Sequence, residues 1–204
     1  MIFVSATDTD VGKTYYSGKI IAHLLNSKIF LPEQIAYYKP VQTGSDKDFE
    51  TIKNQHPNIA IYNSYNFKFP ASPDYASWLE NETIDLEKIK NDFQTIKSKH
   101  KFIVVEGAGG LAVPLNENDM VADLIKALDL ELVLVIRPDL GTINHSLLSL
   151  AYAREKGIKI CGIIVSKRSE ELDPEIAKRN SSAIDSIIKH GKTRVLDLNL
   201  LPWI

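Results

Sequence analysis

One cysteine, Cys161, stands in 204 residues, so no internal disulfide can form and the chain suits a reducing compartment. No apolar run approaches the ~20 residues that a membrane-spanning helix needs. The start of the chain lacks a signal peptide's charged opening and long apolar core, because polar loop residues interrupt it after a few positions. A formal net charge of −2 gives no electrostatic reason to expect nucleic acid or an anionic membrane surface as partner. The basic residues from Lys88 to Lys101 are interspersed with acids and read as a solvated helix face. Repeats, low-complexity stretches and linkers are missing too. These absences predict a cytoplasmic protein without nucleic-acid or membrane partners. What remains is 44% hydrophobic and 25% charged residues, the make-up of an ordinary globular chain, long enough to bury a full core as one domain, 1–204.

The most informative stretch comes first. Met1-Ile2-Phe3-Val4-Ser5 is a short apolar run that leads through Ala6-Thr7-Asp8-Thr9-Asp10-Val11 into Gly12-Lys13-Thr14. Strand, small-residue loop and Gly-Lys-Thr are the parts of a phosphate-binding loop. Successive backbone N–H groups turn inward to hold phosphate oxygens at the positive end of the following helix. Gly12 lets the main chain come close, Lys13 reaches the outer phosphates and the Thr14 hydroxyl is placed for Mg²⁺. The glycine usual at the start of such a loop is missing: Thr7 stands there, after Ala6. The cradle must then form without positive φ at that point, or with strain.

Along the chain, Ile20, Ile21, Leu24 and Leu25 recur at helical spacing and predict a helix from Lys13 to about Ser27. Ile35 to Tyr38 reads as a short strand that Lys39-Pro40 closes, with Val41 to Ser45 as a loop, because proline cannot donate to a ladder. From Asp46 to Pro73 the sequence is polar and irregular, with a helix from about Asp48 and no strand expected. A short helix follows from Pro73 to Glu82. The stripe of Leu86, Ile89, Phe93 and Ile96 gives an amphipathic helix. Phe102–Val105, Leu132–Ile136 and Ile160–Val165 are continuous apolar runs of the kind buried on both faces of a parallel sheet. Helices are predicted over 121–128, from about Leu140 to Lys156, and from Pro174 to His190, with a last strand at Val195-Leu196. Strands alternating with helices give an α/β fold with a doubly wound, mainly parallel sheet covered on both faces, as in P-loop NTPases. In such sheets ligands sit beyond the carboxyl ends of the strands.

Lys39, past a strand end, would face the same crevice as the phosphate loop. Glu106 ends an apolar run and is followed by Gly107-Ala108-Gly109-Gly110, so its carboxylate can approach a bound ion while the glycines leave room for a ligand. Mg²⁺ sites of this kind use one or two carboxylates, a hydroxyl and substrate phosphates; Asp46 and Asp48 are both candidates for the second carboxylate. Cys161 reads as inert core, and His23, His56, His100 and His190 show no metal-ligand spacing and are expected to face solvent. Asn144 and His145 read first as capping and surface residues.

Together "ATDTDVGKT", "YKPVQTG", "VEGAGGLAVPL" and "LGTINHSLLSL" resemble the dethiobiotin synthetases, the ATP-dependent ligases of biotin synthesis. The resemblance runs from Met1 to about Val165 and is weakest between Asp46 and Asn81. It implies a homodimer that turns 7,8-diaminononanoate, CO₂ and Mg-ATP into dethiobiotin, ADP and phosphate. One amine captures CO₂ as a carbamate, the γ-phosphate activates it as a mixed anhydride, and the second amine closes the cyclic urea. It further implies that Lys13 and Lys39, with Thr9, act in catalysis, and that Asp10, Val11, Gly12, Lys13, Thr14, Glu106 and Ser166 bind the nucleotide. Thr14, Asp48 and Glu106 would hold Mg²⁺. Thr9, Lys39, Thr43, Gly107, Ala108 and Gly109 would meet the diamine end. Thr142, Ile143 and Asn144 would bind the substrate carboxylate from the other subunit, and a helix N-terminus is a ready anion site.

The departures from the pattern are Ala6 in the loop, Asp74 after Ser72-Pro73 where histidine is common, and Ser166 where asparagine usually reads adenine. The chain also ends at Pro202-Trp203-Ile204, where the family commonly continues. One hydroxyl cannot make a bidentate pair with a base edge, so weak base discrimination is expected. Competing classes are a related corrin-pathway ligase, which would need a glutaminase domain, and a partition or scaffold ATPase, which would carry an extra lysine near Ala6-Thr7. A regulatory GTPase would need Asn-Lys-x-Asp where Ser166-Lys167-Arg168 stands.

Overall fold

The computed structural model describes residues 1–44, 47–166 and 174–197. Its centre is a six-stranded sheet whose pairings are all parallel: β1 (Ile2–Ala6), β2 (Ile35–Thr43), β3 (Ala60–Phe67), β4 (Phe102–Glu106), β5 (Glu131–Ile136) and β6 (Ile160–Val165), in the order β3-β2-β4-β1-β5-β6. β1 and β4 are buried along their whole length, which explains their unbroken apolar runs. Seven helices join the described strands: α1 (Lys13–Asn26), α2 (Lys47–Gln55), α3 (Pro73–Leu79), α4 (Leu86–Lys97), α5 (Val121–Ala127), α6 (Thr142–Glu155) and α7 (Pro174–His190).

The sheet splits the core in two. On one face Ile20, Ile21 and Leu24 of α1 and Ile52 of α2 pack on Val4, Tyr37, Val104 and Val133. On the other, Ile89 and Phe93 of α4, Leu124 and Ile125 of α5 and Leu150 of α6 pack on Phe3, Ile103, Val105 and Leu134. β1 lies between β4 and β5, so the chain leaves it toward one edge through β2 and β3. It comes back to β4 and then crosses to the other edge. The crevice at β1 and β4, where the direction reverses, is the expected ligand position in a doubly wound sheet.

Two expectations fail at the β2–β3 edge. β2 does not stop at Lys39; it runs through Pro40 to Thr43. Its last pair with β4 is Tyr38–Val105, whereas pairing with β3 continues to Thr43–Phe67. Pro40 therefore falls where β2 has a neighbour on one side alone, and its missing N–H costs little. The segment read as having no strand holds β3, an edge strand in which Asn63 and Asn66 face solvent. At the other end, Val195 makes a single parallel bridge with Ile163 rather than a full strand. Ser45, Asp46, Lys167, Arg168 and Pro202-Trp203-Ile204 lie outside the described residues. Among the described residues no helix is long and apolar enough to cross a membrane.

Candidate active site

The loop between β1 and α1 needs left-handed backbone, and it places it at Asp10 (φ 56°) and Gly12 (φ 110°). Ala6 stays inside β1, so the missing glycine costs no strain at that point; aspartate tolerates the left-handed region better than most residues. Thr7 N–H donates to Val135 O at 3.1 Å and ties the loop's start to β5. Thr9 and Asp10 are exposed, Val11 is buried in the α1 face of the core, and Lys13 is 8% exposed. Lys13 Nζ folds back to donate to Asp8 O at 3.1 Å. No side chain caps α1 and its first turn holds no acidic residue, which leaves its N-terminal N–H groups open to an anion. A Cβ on Gly12 would lie 3.4 Å from Ser166 Oγ and 3.6 Å from the Tyr16 ring, so the buried Ser166 sits beneath the phosphate loop.

Around α1's first turns the chain gathers a charged cluster from four elements. Thr14 Oγ1 lies 2.8 Å from both Asp48 Oδ1 and Glu106 Oε1. Lys39 Nζ donates to Asp48 Oδ2 and, at 3.0 Å, to Glu106 Oε1. Ser17 Oγ donates to Glu106 Oε2 at 2.8 Å, and both residues are fully buried. Asp48 reaches the cluster because α2 packs closely on α1, where the His56 ring meets Gly18 O at 2.9 Å. Burial alone would depress Lys39, but the Glu106 and Asp48 carboxylates outweigh it and hold its pKa above the usual lysine value. Burial would raise Asp48, and Lys39 reverses this to leave it below the usual carboxylate value. Lys13 is lowered, by burial first and with the Lys39 charge adding to it against Glu106. Burial, then the Glu106 and Asp48 charges, pushes the Tyr37 phenol well above its ordinary value and keeps it protonated.

The donor set fits a hard divalent cation. Oxygens at ~2.1 Å around Mg²⁺ in an octahedron lie about 3 Å apart along an edge, close to the spacing from Thr14 to each carboxylate. One hydroxyl proton cannot serve both carboxylates, so one of those contacts asks for positive charge. Among the described residues no three His, Cys, Asp or Glu side chains converge as a metal site. The remaining ligands of an ion held by Thr14, Asp48 and Glu106 would have to be phosphate or water oxygens.

Other residues singled out in the sequence spread around this cluster. Gly107 is buried and donates its N–H to Val4 O at 3.0 Å. A Cβ on Gly107 would lie 2.8 Å from Phe3, and one on Gly110 would lie 3.3 Å from Ala6 O, so the glycine loop passes against the root of the phosphate loop. Ala108 and Gly109 are half-buried beside it, as is Thr43 at the end of β2. Thr142, Ile143 and Asn144 are not brought into the cluster. They open α6, whose N-cap is Gly141 at φ 90°, again with no side-chain cap and no acid in the first turn. By contrast α4 is capped by Asp85, and Asp123 Oδ2 accepts from Met120 N–H at 2.9 Å at the start of α5. Asn144 is exposed, Leu140 and Ile143 stand out in solvent, and Thr142 Oγ1 and Ser146 Oγ are buried without a partner among the described residues. Between the two loops stands Arg137, which pairs with Asp8 at 3.4 Å and with Asp139 at 3.6 Å.

Sequence reasoning missed Ser17, although it lies one helical turn beyond Thr14 on the same face, and Tyr37, two residues before Lys39 on the same face of β2. His56 and His100 are not simply solvent-facing: the first bonds Gly18, and the second bonds Glu33 O and the Tyr62 hydroxyl. Cys161 is buried as expected, its thiol pushed up by burial.

A family model described as an AAA domain matches residues 1–204. The ATP-dependent dethiobiotin synthetase of Methanocaldococcus jannaschii is 43% identical over 173 residues, 81% of this chain and 79% of that protein. The enzyme of that name from Endomicrobium trichonymphae is 38% identical over 215 aligned positions, covering 100% of this chain and 97% of its own. Among solved structures, the MinC:MinD cell division protein complex of Aquifex aeolicus aligns over 95% of this chain and 78% of its own, with a TM-score of 0.59 and 15% identity. MinD of Pyrococcus horikoshii complexed with Mg-ADP gives a TM-score of 0.53 at 15% identity, over 91% and 76%. These two likenesses concern the fold alone.

Proposed function

The chain belongs to the dethiobiotin synthetase family, and from that premise we propose that it closes 7,8-diaminononanoate, CO₂ and ATP into dethiobiotin, ADP and phosphate. It is an ATP-dependent cyclo-ligase. The observation that carries the detailed reading is the meeting of Lys39, Asp48, Glu106 and Thr14 within bonding distance at the mouth of an open phosphate loop.

Phosphoryl transfer asks for positioning and charge neutralisation more than for covalent help. The loop's N–H groups, with Lys13, hold the phosphates in line. Two buried lysines also disfavour a protonated amine beside them, which leaves a free amine on the substrate to attack CO₂. Lys13 and Lys39 then stabilise the carbamate and the negative charge on the transferring phosphoryl group. A carbamate oxygen attacks the γ-phosphorus and ADP leaves; the second amine attacks the carbamoyl carbon and phosphate leaves. Thr14, Asp48 and Glu106 would hold Mg²⁺, which when bound neutralises phosphate charge. Thr9, Thr43 and the backbone of Gly107, Ala108 and Gly109 line the diamine end. Thr142, Ile143 and Asn144 of α6 take the substrate carboxylate of the other subunit in a homodimer.

Incubation with diaminononanoate, ¹³C-bicarbonate and Mg-ATP tests the reading. Dethiobiotin heavier by one mass unit is the expected product. ATP hydrolysis that ignores the diamine, with no dethiobiotin, would overturn the assignment in favour of an ATPase switch.

A further inference from the structure

We propose that Lys39 stands in for the metal ion while nucleotide is absent, and that metal loading releases its ammonium to the reacting groups. The inference rests on the reading of Thr14, Asp48 and Glu106 as the metal's ligands. Lys39 is 5% exposed, and its Nζ bonds one oxygen of each of those carboxylates. Glu106 Oε1 serves both Lys39 at 3.0 Å and Thr14 at 2.8 Å. The ammonium therefore occupies the position of the shared counter-charge. Lys13, the other cation of the site, is turned to Asp8 O instead.

A buried carboxylate without compensating charge is costly, so some cation must hold Asp48 and Glu106 in the empty protein. A divalent ion beside Thr14 would share Glu106 Oε1 with the ammonium and bind the other oxygen of the same Asp48 carboxylate. It would therefore repel the ammonium, and the low dielectric of a buried site magnifies that repulsion. One of the two cations has to give way. Glu106 cannot turn to accommodate both, because its second oxygen is held by the buried Ser17 hydroxyl and its backbone lies in a central strand. Lys39 can move: its ammonium is a point charge on a flexible four-carbon stem and changes partners without losing a fixed geometry. The direction open to it is the anionic phosphate and carbamate between it and Lys13. Metal and catalytic lysine would thus be delivered in one step, so phosphoryl charge meets its full complement of cations only in the loaded site.

Mn²⁺, as a probe for Mg²⁺, is titrated into nucleotide-free protein and free ion is read by electron paramagnetic resonance. Wild type should bind weakly and Lys39→Met at least about tenfold more tightly, because the competing ammonium is gone. In chelator, Lys39→Met should melt below wild type, and Mg²⁺ alone should recover most of the difference. Should Lys39→Met not fold, the ¹⁵N signal of the Lys39 ammonium in wild type should shift as Mg²⁺ is added. Equal Mn²⁺ affinity in wild type and a folded Lys39→Met, or an ammonium signal indifferent to Mg²⁺, would overturn the proposal. Asp48→Asn separates this from the reading beneath it. If that variant binds Mn²⁺ as well as wild type with nucleotide present, the ligand assignment falls, and the stand-in role with it.

Discussion

The first turns of α1 and α6 are alike in backbone and opposite in company. Each helix starts after a glycine with positive φ, and neither has a side-chain cap or an acid in its first turn. At α1 the chain surrounds the helix end with its own chemistry: Thr14, Ser17, Lys39, Asp48 and Glu106 join through buried or half-buried bonds, and Lys13 beside them bonds Asp8 O. At α6 the helix end looks outward, with Asn144 exposed and the Thr142 and Ser146 hydroxyls unpartnered among the described residues. One helix end is furnished within the chain; at the other Thr142 N–H donates to Asp139 O at 3.0 Å, no side chain caps the turn and Asn144 stands exposed. That difference is what an active site shared between two copies would leave in a single chain.

The largest expected effect breaks the α1 side. Lys13→Ala and Lys39→Ala should each lower turnover by ~10²–10³ while far-UV circular dichroism shows the fold retained, since each removes a charge placed where phosphoryl charge develops. A folded Lys39→Ala protein with near-normal turnover would take Lys39 out of the mechanism. Asn144→Ala comes next. It should raise KM for the diamine by about tenfold, the worth of one hydrogen bond to a charged group, and leave KM for ATP nearly unchanged. An equal rise in both constants would move Asn144 away from the carboxylate.

Stability against pH sharpens the contrast. The folded pKa of Asp48 is lowered, so its contribution is present above the usual carboxylate range and lost as pH falls through the folded value. That of Lys39 is raised, so its contribution is present below the usual lysine value and lost as pH climbs through the folded one. Melting curves of wild type and Lys39→Met without metal should differ through the neutral range and converge at both extremes. A constant offset at every pH would say that the pair is not what the lysine contributes. The smallest effect concerns the base. Ser166 lies beneath Gly12, turned toward the phosphate loop, and offers one hydroxyl. CTP, GTP and UTP should then support turnover within about tenfold of ATP, because a site that never bonds a group cannot strongly reject its absence. A hundredfold preference for ATP in kcat/KM would show that other groups read adenine.

What the sequence disclosed follows physical lines. β1, β4 and β5 were legible because central parallel strands are apolar on both faces, and β6, last in the sheet, keeps an unbroken apolar run where Arg194 to Leu196 lies against it. β3 was not, since an edge strand with Asn63, Ser64 and Asn66 lacks both the unbroken run and the strict alternation that mark a strand. Pro40 was misread as a stop because its tolerance depends on where β4 ends, a fact of the sheet and not of the local sequence. The phosphate loop, Lys39 and Glu106 could be named from motif and position. Ser17 could not, for a buried serine on an apolar helix face looks like any small core residue until Glu106 is seen across from it. Arg137's place beside Asp8 likewise arises because β5 runs alongside β1.

The central claim, that α6 of one copy completes the α1 site of another, is tested by mixing two defective chains. On this account Lys13→Ala would lack a working phosphate loop and Asn144→Ala would lack the carboxylate anchor. In a twofold dimer of one of each, one site pairs the intact Lys13 with the intact Asn144, and the other holds both defects. After random exchange, equal amounts should recover about a quarter of wild-type dethiobiotin formation at limiting diamine. No recovery, with subunit exchange demonstrated by mass, would place the carboxylate site within one chain and contradict the account.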